Sequence, residues 1–179
     1  CIVNHSCYFG ATNNNYTEFD KLDKHRVCGI KLFMGSSTGN MLVDKMNSLL
    51  NIFNGTDMLI AAHCEDQETI KNNIEKYKQK YKGADDIPVS AHPSIRSVPA
   101  CYASSELAVR LAKIAGARLH ILHVSTAKEL QLFSDEPLAS KNITAEACVA
   151  HLLFTLTHYN SLGTRIKCNP AVKRKTDRE

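Results

Sequence analysis

Short apolar runs alternate with longer amphipathic stretches along the 179 residues of the chain. Within the longer stretches, apolar positions recur at three- and four-residue spacing, as at Leu107, Leu111 and Ile114. The alternation predicts repeated β-then-α units. The predicted strands are residues 2–9, 28–34, 58–63, 118–124, 142–145 and 165–169, and the predicted helices are residues 42–53, 67–81, 100–115, 127–133 and 147–159.

Repeated β-then-α units predict a parallel sheet covered by helices, either an open doubly wound sheet or a (β/α)₈ barrel. The first βα turn has no glycine-rich phosphate loop, which argues against a nucleotide-binding doubly wound sheet. A barrel needs about eight units over about 250 residues, and only six units are found here. We therefore predict an α/β partial TIM barrel, with residues 1–179 as one partial barrel domain and as an internal segment of a longer chain.

Composition and charge exclude some function classes. The chain is 44% hydrophobic and 22% charged with a net charge of +4, which is typical of a globular protein. No apolar run is long enough to cross a bilayer, and the basic residues are scattered except near the C-terminus. We therefore expect neither a membrane nor a nucleic acid as partner. The seven cysteines lack zinc-knuckle spacing and several lie in apolar runs, which favours a reducing, cytoplasmic location.

Lys31 stands in the middle of the apolar run of residues 28–34. One interpretation places it on a sheet edge or pairs it with an acid. The other is a buried amine that loses its proton, because burial penalises the charged form, and that then takes part in chemistry.

His63 and His123 each follow an apolar run at the predicted carboxyl end of a strand. Strand alternation places His63 on the face of Ala61 and His123 on the face of Ile121, with His120 on the opposite face. Either histidine alone is more often a hydrogen-bonded core residue than a metal ligand. Two of them at the end of a barrel where active sites are built indicate a functional site.

A lysine and two histidines at the mouth of a barrel predict a metal site. Imidazole binds metals of the zinc class, whereas an ammonium is not a ligand. Carboxylation of the neutral Lys31 amine by carbon dioxide would supply an anion whose two oxygens can bridge two cations. Two metals about 3.5–4 Å apart can share a hydroxide and polarise a carbonyl.

An ordered set of motifs resembles the dihydroorotases, which are metal-dependent cyclic amidohydrolases. Residues 29–42 resemble the strand with the carboxylated lysine and its loop, and residues 62–65 and 119–126 resemble the two metal-histidine strands. Residues 143–153 resemble the segment that follows, and residues 167–179 resemble the loop on the substrate side. The order and spacing match through nearly the whole chain, and this ordered set is the specific signal.

The resemblance implies a TIM-barrel hydrolase with two zinc ions that opens or closes a cyclic amide, and a small-molecule substrate such as N-carbamoyl-L-aspartate or dihydroorotate. It implies that Lys31 is carboxylated and bridges the metals, and that His63 and His123 bind one of them. Asn169 would contact the pyrimidine ring through its backbone, and Thr38 would lie in the loop over the site.

Parts of the family's site fall outside these residues. The resemblance places the His-x-His motif before residue 1 and the proton-shuttling aspartate beyond Glu179, so no catalytic residue is assigned within the chain. We therefore expect the isolated chain to be inactive. Many relatives read Asn-Pro-Pro-Leu-Arg where residues 169–173 read Asn-Pro-Ala-Val-Lys. Arg96 and Glu106 match positions that resemble structural support in related amidohydrolases.

The resemblance leaves two alternatives to dihydroorotase. One is another cyclic amidohydrolase, such as a hydantoinase, dihydropyrimidinase or allantoinase, although the loop of residues 35–40 favours dihydroorotase. The other is a metal-free homologue that serves as an assembly partner, against which the retained Lys31, His63 and His123 argue. An incomplete barrel leaves strand edges open, which makes pairing with a second copy, as a homo-oligomer, one outcome.

Overall fold

Among the residues that the structure describes, five parallel strands form one sheet, and each strand pairs with the next strand along the chain. The computed structural model describes residues 2–35, 37, 39–83, 85 and 87–179. An order without reversal is that of a (β/α)₈ barrel, whereas a doubly wound sheet reverses at a switch point. The strands are β1 (Cys7–Gly10), β2 (Val27–Phe33), β3 (Ile60–His63), β4 (Leu119–Ile121) and β5 (Ile143–Ala145).

Helices connect and cover the strands. No helix in the described ranges is both long and apolar enough to span a membrane. The α-helices are α1 (Met46–Asn54), α2 (Gln67–Tyr81), α3 (His92–Ile95), α4 (Val98–Ala115), α5 (Val149–Leu153), α6 (Tyr159–Leu162) and α7 (Lys175–Arg178). Short 3₁₀ helices span Tyr16–Lys21, Val89–Ala91, Ala127–Leu132, Leu138–Ser140, Leu156–His158 and Gly163–Ile166.

The core lies between one face of the sheet and the helices α1 and α4. The strand residues on this face are fully buried, and each buried leucine or isoleucine contributes about 1.5–3 kcal/mol. Strand alternation therefore turns the intervening residues, Lys31, Phe33, Ala61 and His63, to the opposite face. The core includes Ile30, Leu32, Ile60, Leu119 and Ile121 from the strands, Ile52 and Phe53 from α1, and Ala108 and Leu111 from α4.

Local sequence signals explain the main helix ends and one close approach. The Asp66 side chain accepts a hydrogen bond from the Thr69 N–H at 2.8 Å and caps the start of α2. Helix α4 ends at Gly116, whose φ of 64° is easily adopted only by glycine. At Gly35, after β2, a Cβ atom would lie 2.0 Å from the Glu65 carbonyl oxygen. The absence of a side chain there lets the ends of β2 and β3 lie against each other.

The first five predicted strands are confirmed, four of them shorter in the structure and β2 shifted by one residue, and the sixth is wrong. Residues 165–169 are not a strand, because Gly163–Ile166 form a 3₁₀ helix that leads into an irregular loop. The loop continues through a cis Asn169–Pro170 peptide bond, and Pro170 has no N–H for a strand ladder.

The helix predicted over residues 147–159 is also wrong as a single element, because α5 ends at Leu153 and two short helices follow. Phe154 and Thr155 are extended, and Thr155 starts the next 3₁₀ helix through a capping box with His158. The Thr155 side chain competes with the helix for backbone hydrogen bonds. The segment predicted over residues 127–133 is a 3₁₀ helix rather than an α-helix.

Candidate metal centre

Lys31 lies on an internal strand and has no acidic partner among the described residues. Its strand, β2, is flanked by β1 and β3, so it is not on a sheet edge. The ammonium lies 3.8 Å from the centre of the Phe33 ring and donates a hydrogen bond to the Leu32 carbonyl at 3.3 Å. Burial lowers the pKa of Lys31 from 10.5 to about 8. The interpretation of Lys31 as an amine that loses its proton readily is therefore the one that fits its surroundings.

His63 and His123 are in direct contact at the carboxyl ends of β3 and β4. His63 Nδ1 lies 3.0 Å from His123 Nε2, and the two rings meet edge to face with centres 4.8 Å apart. His63 is next to Phe33 in the register of β2 and β3, on the same sheet face as Lys31. The structure thus brings the three residues singled out from the sequence to one end and one face of the sheet.

Glu65 fixes the tautomer of His63. Its carboxylate is fully buried and its Oε2 lies 3.0 Å from His63 Nε2, so this nitrogen carries the proton and donates it. The Nδ1 lone pair of His63 is then directed towards His123. Arg96, which directly follows α3, donates to the same Oε2. Burial raises the pKa of Glu65, but the hydrogen bond from His63 and the charge of Arg96 outweigh it and lower the pKa below its ordinary value.

His123 reaches the site through a backbone turn, and the face predicted for it was wrong. Strand β4 ends at Ile121, which lies in the core, and strict alternation would direct His123 to that side as well. Its φ of 45° is in the left-handed region and rotates the side chain towards His63. His120 occupies the site face instead, in register with Ala61, and bonds to Thr144 Oγ1 at 2.8 Å.

The donor atoms of the two histidines fit a shared cation. Two imidazole nitrogens bound to one tetrahedral zinc at 2.0–2.1 Å would lie about 3.3 Å apart. His63 Nδ1 and His123 Nε2 are 3.0 Å apart, close to that separation. His123 Nδ1 is buried and has no hydrogen-bond partner within the described residues, and burial lowers the pKa of His123 to about 3. The His123 ring is therefore neutral near pH 7, the form in which imidazole binds metals.

A third ligand is missing from the described residues unless Lys31 supplies it. No group of three histidine, cysteine, aspartate or glutamate side chains that could hold a metal occurs in the described parts of the chain. Lys31 lies near enough for its charge to lower the pKa of His123, and as an ammonium it repels a cation. Among the described residues, a chemically modified, anionic Lys31 would complete a three-ligand set with His63 and His123.

The residues expected on the substrate side are only partly placed. Thr38 lies outside the described residues. Asn169 is exposed in a bend of the loop after α6, not at the end of a strand as predicted. Glu106 lies on the exposed side of α4, where it accepts a hydrogen bond from Tyr102 at 3.2 Å, so it does not contact the site. Arg96 does contact it, through Glu65.

Glu179, the residue beyond which the family's aspartate was predicted to lie, is engaged in local contacts. It is exposed directly after α7, and its carboxylate Oε1 lies 3.2 Å from Lys175 Nζ and 3.6 Å from an Arg178 guanidinium nitrogen. An exposed carboxylate paired with two basic side chains of its own helix has no role in holding the metal ligands. No catalytic role is therefore assigned to Glu179, and the position of the family's aspartate beyond it stays a prediction.

Sequence reasoning missed the role of Glu65, although the local pattern contained a signal. His63 and Glu65 are two residues apart, and an acidic residue directly after an apolar strand that ends in histidine is placed to bond that histidine. Lys173 was also missed. It is 5% exposed, and it donates to Ser125 Oγ at 2.9 Å and to the Ala171 carbonyl at 3.1 Å.

Comparison with curated proteins finds relatives named dihydroorotase and allantoinase. No family model matches the chain. A dihydroorotase of Halalkalibacterium halodurans is 28% identical over 148 residues, which are 82% of this chain and 32% of the relative. A dihydroorotase of Methanosphaera stadtmanae is 27% identical over a region that makes up 91% of this chain and 39% of the relative. An allantoinase of Escherichia coli K12 is 26% identical over a region that makes up 92% of this chain and 37% of the allantoinase. The chain thus spans about a third of the length of these relatives.

Comparison with solved structures finds the same fold over almost the whole chain. The L-hydantoinase (dihydropyrimidinase) from Arthrobacter aurescens superposes with a TM-score of 0.86 at 23% identity, over 98% of this chain and 39% of that protein. Dihydropyrimidinase from Brevibacillus agri superposes with a TM-score of 0.83 at 16% identity, over 99% of this chain and 40% of that protein. The fold is therefore a partial TIM barrel that these two proteins share. The resemblance to the dihydroorotases and related cyclic amidohydrolases is confirmed.

Proposed function

We propose that this chain is a central part of a zinc-dependent cyclic amide hydrolase, and that the complete protein is a dihydroorotase. The reaction would be the reversible conversion of N-carbamoyl-L-aspartate to dihydroorotate in pyrimidine synthesis. The dihydroorotase relatives and the resemblance of residues 29–42 support this substrate. Residues 1–179 would be one partial barrel domain of that protein.

One observation supports the metal centre more than any other. His63 Nδ1 and His123 Nε2 face each other at 3.0 Å, while Glu65 holds the remaining nitrogen of His63. A carboxylate that accepts a hydrogen bond from the other ring nitrogen of a metal-binding histidine is a recurring feature of zinc sites. A pair of ordinary core histidines would not need a fully buried, arginine-paired carboxylate behind it.

Each residue of the centre would have a separate task. Lys31, as a carbamate, would bridge two zinc ions, and His63 and His123 would bind one of them. Bound zinc would supply Lewis-acid polarisation of the amide carbonyl and a water of lowered pKa. Glu65 and Arg96 would keep His63 in the tautomer that presents Nδ1 to the metal. Asn169 would orient the ring of the substrate through its peptide groups, as the resemblance implies.

A second candidate function is the hydrolysis of another cyclic amide. The allantoinase relative covers the chain as well as the dihydroorotases do, at nearly the same identity. The two solved structures named above are a hydantoinase and a dihydropyrimidinase, but below 25% identity they support the fold alone. A metal-free assembly partner is the third candidate, and the intact Lys31, His63 and His123 argue against it.

Substrate turnover and zinc content of the complete protein test the proposal together. We expect zinc to co-purify and dihydroorotate to be hydrolysed faster than allantoin, hydantoin or dihydrouracil. His63→Ala and His123→Ala should lower both zinc content and turnover to near background. The control His25→Ala, at an exposed position, should change neither. Preferred turnover of allantoin would replace dihydroorotase by the second candidate, and a protein without zinc or turnover would favour the assembly partner.

A further inference from the structure

The loop of residues 167–174, which we call the 167–174 loop, exposes one residue whose peptide groups are free. Asn169 is exposed, and no described residue forms a hydrogen bond with its peptide N–H or C=O. Its neighbours are held firmly, since Pro170, Ala171 and Val172 are buried. A rigid loop whose exposed residue has an unsatisfied backbone N–H and C=O is suited to meet a polar ligand.

Two histidines hold the carbonyl groups on either side of Asn169. His92 Nε2, at the start of α3, lies 2.9 Å from the Cys168 carbonyl oxygen. His151 Nε2, in α5, lies 2.9 Å from the Pro170 carbonyl oxygen. A carbonyl oxygen can only accept, so both Nε2 atoms carry the proton and donate it. Burial lowers the pKa of both histidines, so each stays in the neutral form at pH 7.

A buried lysine holds the C-terminal part of the same loop. Lys173 donates to Ser125 Oγ, two residues after His123, and to the Ala171 carbonyl within the loop. The backbone carbonyl of Lys173 accepts from the Leu156 N–H at 2.6 Å. The 167–174 loop is therefore attached to α3, to α5 and to the segment after β4, which carries the candidate metal ligand His123.

We propose that His92 and His151 are positioning residues that present the backbone N–H and C=O of Asn169 to the cyclic amide ring of the substrate. This inference rests on the proposed function, since it takes the ligand of Asn169 to be that substrate. The ring of a cyclic amide carries adjacent N–H donors and C=O acceptors, which match the free C=O and N–H of this one residue. His92 and His151 fix the carbonyl groups of Cys168 and Pro170 and thereby the direction of the Asn169 backbone between them. They do not contact the substrate or the metal themselves.

Paired variants of the complete protein separate positioning from folding and from metal binding. His151→Leu removes the donor to the Pro170 carbonyl, whereas His151→Gln keeps an N–H donor at a similar reach. The same pair is made at His92. The control is His158→Gln, a histidine that is also partly buried but bonds only locally, to Thr155. Zinc content, KM and kcat for dihydroorotate are measured for each variant, with the unfolding temperature as a check of the fold.

We expect His92→Leu and His151→Leu to raise KM about tenfold, the effect of one lost buried hydrogen bond, with zinc content unchanged. The glutamine variants should recover most of the affinity, and His158→Gln should match the wild type. Equal KM in the leucine variants and the wild type would overturn the inference, and so would zinc loss in proportion to activity. A wild-type protein that hydrolyses no cyclic amide would overturn the proposed function itself, which is a different result.

Discussion

Replacing Glu65 by glutamine tests whether the buried carboxylate orients His63 for metal binding. The substitution keeps the size and hydrogen-bonding shape of the side chain but removes its charge. Glu65 Oε2 accepts from both His63 Nε2 and Arg96, and the residue has 0% exposure. Solvent cannot replace either interaction, so the change acts directly on the His63 tautomer and on the basicity of its Nδ1 atom.

The expected magnitude follows from the type of hydrogen bond. A bond to a charged acceptor contributes about 1.5–3 kcal/mol, and one between neutral groups contributes about 0.5–1.5 kcal/mol. The difference, about 1–1.5 kcal/mol, corresponds to about a tenfold change in an equilibrium constant. Loss of a group that orients a metal ligand costs about 10–100-fold in metal affinity, which agrees with this value. We therefore expect Glu65→Gln to weaken zinc binding about tenfold or more.

Zinc affinity of the complete protein, measured by competition with a chromophoric chelator, reports this change directly. Glu129→Gln is the matched control, because Glu129 is equally buried but accepts its hydrogen bonds from the hydroxyls of Ser105 and Thr126. It should lower the unfolding temperature without weakening zinc binding. Equal zinc affinity in Glu65→Gln and wild type would refute the reasoning, and so would an equal loss in both variants.

Two further predictions concern the lysine and the buried histidines. Lys31→Ala should abolish hydrolysis and lower the zinc content of the complete protein, with partial rescue by short carboxylic acids. Near wild-type activity and zinc content in this variant would contradict the carbamate role, and the exposed Lys21→Ala is the control. The pKa values of His92 and His151 are lowered from 6.5 by burial, so the unfolded chain takes up protons first as pH falls. The free energy of unfolding should therefore fall as pH drops below about 6.5 towards the folded pKa values, by at most about 1.4 kcal/mol per pH unit for each histidine. Denaturant titrations between pH 5 and 8 should show a shallower fall in His92→Gln than in the wild type, and an identical slope would show that His92 does not contribute.

The sheet could be predicted because its strands are short apolar runs with a period of two. Residues Ile30, Leu32, Ile60 and Ile121 alternate as a core face should, and the structure buries all of them. The end of the chain was less predictable. Residues 165–169 contain apolar residues without a partner strand among the described residues, and the structure turns them into a 3₁₀ helix and a loop. Pattern alone does not show whether a neighbouring strand is present to pair with.

The site was predictable by residue type and less so by geometry. Lys31 and His63 lie on the face that strand alternation predicts for them, whereas His123 depends on a backbone φ of 45° that no periodicity encodes. His92 and His151 could not be found from the sequence, because their partners are carbonyl groups of residues 76 and 19 positions away. Interactions with distant backbone atoms leave no mark in residue spacing.

The chain-order pairing of the strands has a consequence for synthesis on the ribosome. Each strand pairs with one already made, so the sheet can grow as residues emerge, without waiting for a distant partner. Arg96 follows Glu65 by 31 residues, whereas His123 follows His63 by 60. At about 5–20 residues per second, seconds separate these two events. His63 can therefore meet Glu65 and Arg96 before His123 emerges from the ribosome, so one imidazole of the candidate site is oriented ahead of the other.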